Sequence, residues 1–147
     1  TINLGGAFQS DNIGTISRSG GTLNLTGQMT VPATFTLNAA TGNLRLLGGQ
    51  ILGGTVDAAD GAGLVFTTSA GTLQSVVMNA DMDFSATSSY VNVTGNGLTV
   101  NGTATFGQGT GLYFTGTGDM TLGGTGEVLL NGSGAQLTLT ACARSRP

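Results

Sequence analysis

The sequence predicts an all-β protein, a parallel β-helix or β-solenoid of about six coils, each of roughly 21 residues and three short strands. Three observations predict it. Apolar-x-apolar triplets recur at nearly equal steps. The stretches between them hold further short runs of period-two alternation. No long segment shows a helical period.

The triplets are Ile2-Asn3-Leu4, Leu23-Asn24-Leu25, Leu44-Arg45-Leu46, Leu64-Val65-Phe66, Val91-Asn92-Val93, Leu112-Tyr113-Phe114 and Leu137-Thr138-Leu139. The step from Ile2 to Leu23 equals that from Leu23 to Leu44, and returns between Val91 and Leu112. The step to Leu64 is one shorter, and those to Val91 and Leu137 are longer by a small insertion. Each block carries other short runs, such as Met29-Thr30-Val31 with Phe35-Thr36-Leu37, or Leu98-Thr99-Val100 with Ala104-Thr105-Phe106. Gly, Asn, Asp, Thr and Ser fill the turns between them. Val56 to Asp60 is the nearest approach to a helix and stops at Gly61.

Stacking such blocks puts Leu, Val, Ile, Phe and Met inward and Thr, Asn, Ser and Gly outward. Thr suits the outer row because it is β-branched and its hydroxyl faces water. At about 4.8 Å per coil the rod would be roughly 30 Å long. A Greek-key sandwich also uses short strands and turns, but has no reason to repeat its triplets at equal steps. Asn79, Asn101 and Gly123 are equally spaced and read as one corner in successive coils. Corners often need positive φ, which Gly and Asn tolerate. The repeat predicts a single domain over 1–140 and a non-repeat tail over 141–147.

Composition narrows the function. Charged residues make up 7% of the chain, there is no His or Trp, and the net charge is −3. The only cations are Arg18, Arg45, Arg144 and Arg146. No basic stripe is available to neutralise phosphate, so nucleic acid is an unsuitable partner. No apolar run approaches the length of a membrane-spanning helix.

Catalytic motifs fail in specific ways. The glycine-rich stretch 120–134 resembles a phosphate cradle, but a Walker loop needs Lys, and the chain has none. Gly123, Gly124 and Gly126 match calcium-binding nonapeptide glycines, but Val128 holds the Asp position. Without His or Lys, the usual Ser and Cys nucleophiles lack a base. Cys142 lies in the tail, and no Cys or His cluster is available for zinc. The expectation is no catalytic residues, no metal and no cofactor.

Asp81-Met82-Asp83 is the one close carboxylate pair. In a strand both side chains share a face, roughly 7 Å apart. They are candidates for binding a cation or a carbohydrate, or for acid–base chemistry on sugar, against a plain role in solvating an outer face. Met82 and Phe84 should then point inward. Thr-x-Thr pairs at Thr34/Thr36, Thr103/Thr105 and Thr138/Thr140 raise ice binding as a minor alternative, although they are scattered among the blocks. Sequons at Asn24, Asn92, Asn101 and Asn131 are about as frequent as this composition gives by chance.

Residues 64–130, whose C-terminal half reads "LTVNGTATFGQGTGLYFTGTGDMTLGGTGEV", resemble repeats of large secreted bacterial surface proteins. These are autotransporter passengers and haemagglutinin-like adhesins. Residues 1–63 resemble them more loosely. The resemblance implies a right-handed parallel β-helix, secretion to the bacterial cell surface or beyond, and adhesive or scaffold work. Surface glycan is a partner of the expected kind. No capping helix is legible near either end of the repeat, so the end coils would either continue into further chain or pair with other copies, end to end.

Overall fold

The computed structural model describes residues 1–139. Thr140, Cys142 and the tail 141–147 lie outside the described residues. The chain winds into a β-solenoid of about 7 turns, about 51% strand, with coils about 21 residues apart.

The first coil carries β1 (Ile2–Leu4) and β2 (Ala7–Gln9), then a 3-10 turn at Ser10–Asn12 in place of a third strand. The second has β3 (Leu23–Leu25), β4 (Gln28–Thr30) and β5 (Thr34–Leu37). The third has β6 (Leu44–Leu46), β7 (Gln50–Leu52) and β8 (Thr55–Ala58). In the fourth, β9 (Gly63–Phe66) is followed by one long strand, β10 (Thr72–Met78). The fifth repeats this with β11 (Asp81–Phe84) and β12 (Tyr90–Val100). The sixth has β13 (Thr103–Phe106), β14 (Gly111–Phe114) and β15 (Thr121–Gly123). The seventh has β16 (Glu127–Leu130) and β17 (Gln136–Leu139).

Every strand pairs in parallel with its counterpart one coil away. The first face runs β1-β3-β6-β9-β11-β13-β16. The second runs β2-β4-β7-β10-β12-β14-β17. The third is built from β5, β8, the ends of β10 and β12, and β15. A Greek-key sandwich would need antiparallel neighbours, and the described residues have none.

The register corrects the coil count and the simple phase of the repeat. The first four triplets lie on the first face, but Val91-Asn92-Val93, Leu112-Tyr113-Phe114 and Leu137-Thr138-Leu139 lie on the second. Leu64 is followed on its own face by Met82, not by Val91. Met82 is then followed by Ala104 and Ala104 by Val128. The structure has about 7 turns, where about six coils were expected. Apolar-x-apolar alternation is identical on every face, so spacing alone does not say which face a triplet occupies.

The core is a set of inward columns. Leu23, Leu44, Leu64 and Met82 form one, each at most 1% exposed. Leu25, Leu46, Phe66, Phe84 and Phe106 form the next, with Phe66 on Phe84 at 4.0 Å and 4°, and Phe84 on Phe106 at 4.3 Å and 11°. Burying each large side chain is worth about 1.5–3 kcal/mol, and a stacked ring pair adds about 0.5–1.5 kcal/mol. The fold is therefore held by nearest-neighbour coils, as a one-dimensional array.

The corner between second and third faces shows what backbone the coil demands. Gly53 and Gly54 (φ 69 and 66), Ser75 (φ 54) and Gly95 (φ 66) turn there in successive coils. Gly54 is also a close approach: a Cβ there would overlap the Val31 carbonyl oxygen. The candidate helix at Val56 to Asp60 is β8 followed by a left-handed turn at Asp60 (φ 57) and Gly61 (φ 73).

Candidate functional site

Asp81 and Asp83 stand on the outer side of β11, alternating with Met82 and Phe84, which are 1% and 0% exposed. Asp81 lies between Gly63 and Thr103 of the adjacent coils, and Asp83 is flanked by Val65 and Thr105. One oxygen of each carboxylate is committed to backbone. Asp81 Oδ1 accepts the Thr103 N–H at 2.8 Å, and Asp83 Oδ1 accepts the Ser85 N–H at 2.7 Å. The first bond ties β11 to the start of β13, and the second closes the turn after β11.

The neighbouring outer residues, Gly63, Val65, Thr103 and Thr105, supply neither a base nor a cation. Arg45 is on the same outer row but one coil beyond Val65. Among the described residues no three His, Cys, Asp or Glu side chains come together as a metal-ligating group. The pair therefore offers two hydrogen-bonded carboxylates and two threonines on an open face.

The corner positions form a side-chain ladder. The N–H groups of Asn79 and Asn101 donate to Val56 and Met78 carbonyls at 2.9 and 2.8 Å, which puts the two at the same place in successive coils. Asn101 Nδ2 donates to Asn79 Oδ1 at 2.8 Å. Asn101 Oδ1 in turn accepts the Thr125 N–H at 3.1 Å. Thr125, not Gly123, thus continues this corner. Gly123 lies in β15, in register with Thr99, which precedes the corner. The sixth coil inserts a longer loop between β14 and β15, which moves the corner on. Neither Asn has positive φ. Their role here is the amide ladder rather than a left-handed turn.

Other outer contacts carry weaker sequence signals. Asn24 Nδ2 donates to Asn3 Oδ1 at 2.8 Å, and Asn24 is only 5% exposed, which makes its sequon a poor acceptor for glycosylation. The Thr-x-Thr pairs sit on different faces: Thr34 and Thr36 on the third, Thr103 and Thr105 on the first, Thr138 on the second. Arg18 pins the loop after the 3-10 turn to the next coil. Its Nε donates to the Thr41 carbonyl at 2.5 Å, its Nη1 donates to the Gly21 carbonyl, and its backbone N–H donates to Ala40 at 3.1 Å. A lone Arg in a Gly- and Ser-rich stretch is the only sequence signal for that anchor. Tyr90 and Tyr113, remote in sequence, meet on the second face.

Comparison of the chain with protein-family models, curated proteins and solved structures returned no match.

Proposed function

We propose that this chain is a non-catalytic rod segment of an extracellular bacterial surface protein or fibre, structural or adhesive, whose coils associate end to end between copies. The supporting observation is the placement of exposed apolar bulk. Among the described residues the large apolar side chains left exposed are Ile2, Leu130, Leu137 and Leu139, at 40, 53, 37 and 60%. All four belong to inward columns, and all lie in the first or seventh coil. Elsewhere the next coil covers such side chains.

β1 and β2 are edge strands at one end, and β16 and β17 at the other. Among the described residues no further strand pairs with them, and the N–H and C=O groups of such an edge are the template that each internal strand uses. On the third face the first coil has a loop instead of a strand, so stacking there would extend two faces only. The bacterial, extracellular setting rests on the resemblance of residues 64–130 to surface-protein repeats. Sedimentation velocity and electron microscopy of the purified protein test the assembly. Rods of graded length are expected. A sharp monomer at high concentration would remove the end-to-end part of the reading.

The alternative is a carbohydrate-binding or carbohydrate-active β-helix using Asp81 and Asp83. It is favoured by one observation: both carboxylates stand beside Thr103 and Thr105 on one open face. A polysaccharide-cleavage screen decides it, since a hit abolished by Asp81→Asn, which keeps the Thr103 contact, would favour the enzyme over the rod.

A further inference from the structure

The chain has two tyrosines and no tryptophan, and both tyrosines stand on the outer side of the second face. They come from adjacent coils, β12 and β14. Their rings meet edge to face, with centroids 5.9 Å apart and planes at 62°. The Tyr113 ring lies across Gly111: a Cβ at Gly111 would overlap the ring carbon Cζ. Glycine at that position lets the ring lie down on the sheet instead of standing in solvent. The Tyr113 hydroxyl then donates to Gln136 Oε1 at 3.3 Å, one coil further on.

The surroundings are neutral. One outer column reads Thr72, Asn92, Tyr113, Thr138, and the next Tyr90, Gly111, Gln136. No charged residue stands in either. An ionic partner would find no counter-charge there. A purely apolar partner would cover amides and hydroxyls without pairing them, which is unfavourable. A neutral polyhydroxylated chain meets both halves of the patch. The C–H faces of its sugar rings pack on aromatic rings, and its hydroxyls pair with amide groups. Tyrosine suits such a surface because it offers a rigid apolar face with a polar tip.

We propose that the Tyr90–Tyr113 patch binds a neutral glycan, with sugar rings lying on the two tyrosines and hydroxyls bonded to Asn92 and Gln136. This deepens the adhesive half of the function proposed above and rests on it. It also puts glycan on the second face, away from Asp81 and Asp83 on the first.

The test is a titration of the full protein with cellohexaose, chitohexaose and hexagalacturonate, read by tyrosine fluorescence. That signal comes from this pair alone, since the chain has no other tyrosine and no tryptophan. A neutral hexasaccharide is expected to give a saturable change at roughly millimolar concentration or below. Hexagalacturonate is expected to give none. Calorimetry should show binding weakened about tenfold or more by Tyr113→Ala, and unchanged by Asp81→Asn with Asp83→Asn. No response to either neutral hexasaccharide would overturn the proposal, as would equal binding of the charged one. Wild-type affinity in Tyr113→Ala would do the same. If that variant fails to fold, carbon-13 tyrosine resonances of the unaltered protein decide, and both rings must shift on addition of the sugar. Filaments are scored in the same samples, so intact rods without sugar binding reject the patch and leave the rod reading standing.

Discussion

Asn101 donates from Nδ2 to Asn79 Oδ1 at 2.8 Å, across one full coil of the solenoid. The same side chain accepts from Thr125 on the far side. One amide thus links three coils.

Asn101→Ala removes these two bonds, with the longer 3.4 Å bond from the Thr125 hydroxyl, and leaves the backbone conformation available. At about 0.5–1.5 kcal/mol for each bond, the loss should be about 1–3 kcal/mol. Urea unfolding of the variant measures it. Asn101→Asp keeps the acceptor toward Thr125 and loses the donor toward Asn79, so it should fall between Ala and the parent. A variant as stable as the parent would show the ladder to be ornamental.

The ring column makes a sharper demand. Phe84 has Phe66 on one side and Phe106 on the other, and is 0% exposed. Phe84→Ala should cost about 3–5 kcal/mol. Phe84→Leu keeps most of the volume and loses the two stacked contacts, so it should cost less. Thermal unfolding separates the two variants. A Phe84→Leu variant as stable as the parent would mean that stacking adds nothing beyond burial.

Two glycines test conformation against crowding. Both have positive φ, 66 at Gly54 and 73 at Gly61, but Gly61 has open space around it while Gly54 faces the Val31 carbonyl. Gly61→Ala should cost about 1 kcal/mol for the left-handed backbone alone. Gly54→Ala meets backbone as well and should cost clearly more. Similar unfolding midpoints for the two variants would contradict the packed corner.

These positions also show what was legible in the chain. Leu23 and Leu44 announce their columns, because each follows its predecessor by the same step and no insertion intervenes. Asn79 and Asn101 are legible because no insertion separates them either. Phe66, Phe84 and Phe106 are not, since the steps between them are unequal. Val91 misleads, because a second-face triplet looks the same as a first-face one. Gly123 misleads because the longer loop after β14 is invisible to a count of positions. The paired carboxylates were legible as an outer pair, with Met82 and Phe84 inward. Their commitment to the Thr103 and Ser85 N–H groups was not, because it depends on register and turn geometry. The tyrosine pair needed the register as well. Tyr113 stands opposite Asn92, and only the offset of the two columns brings its ring to Tyr90.

The most direct measurement is fibre diffraction, with electron microscopy, on the concentrated full chain, beside an Ile2→Glu and Leu139→Glu double variant. End-to-end stacking predicts filaments with a meridional spacing of about 4.8 Å in the parent. It predicts folded monomers in the variant, whose charges would sit on the coil edges. A parent that stays monomeric, or a variant that still forms filaments, would contradict it.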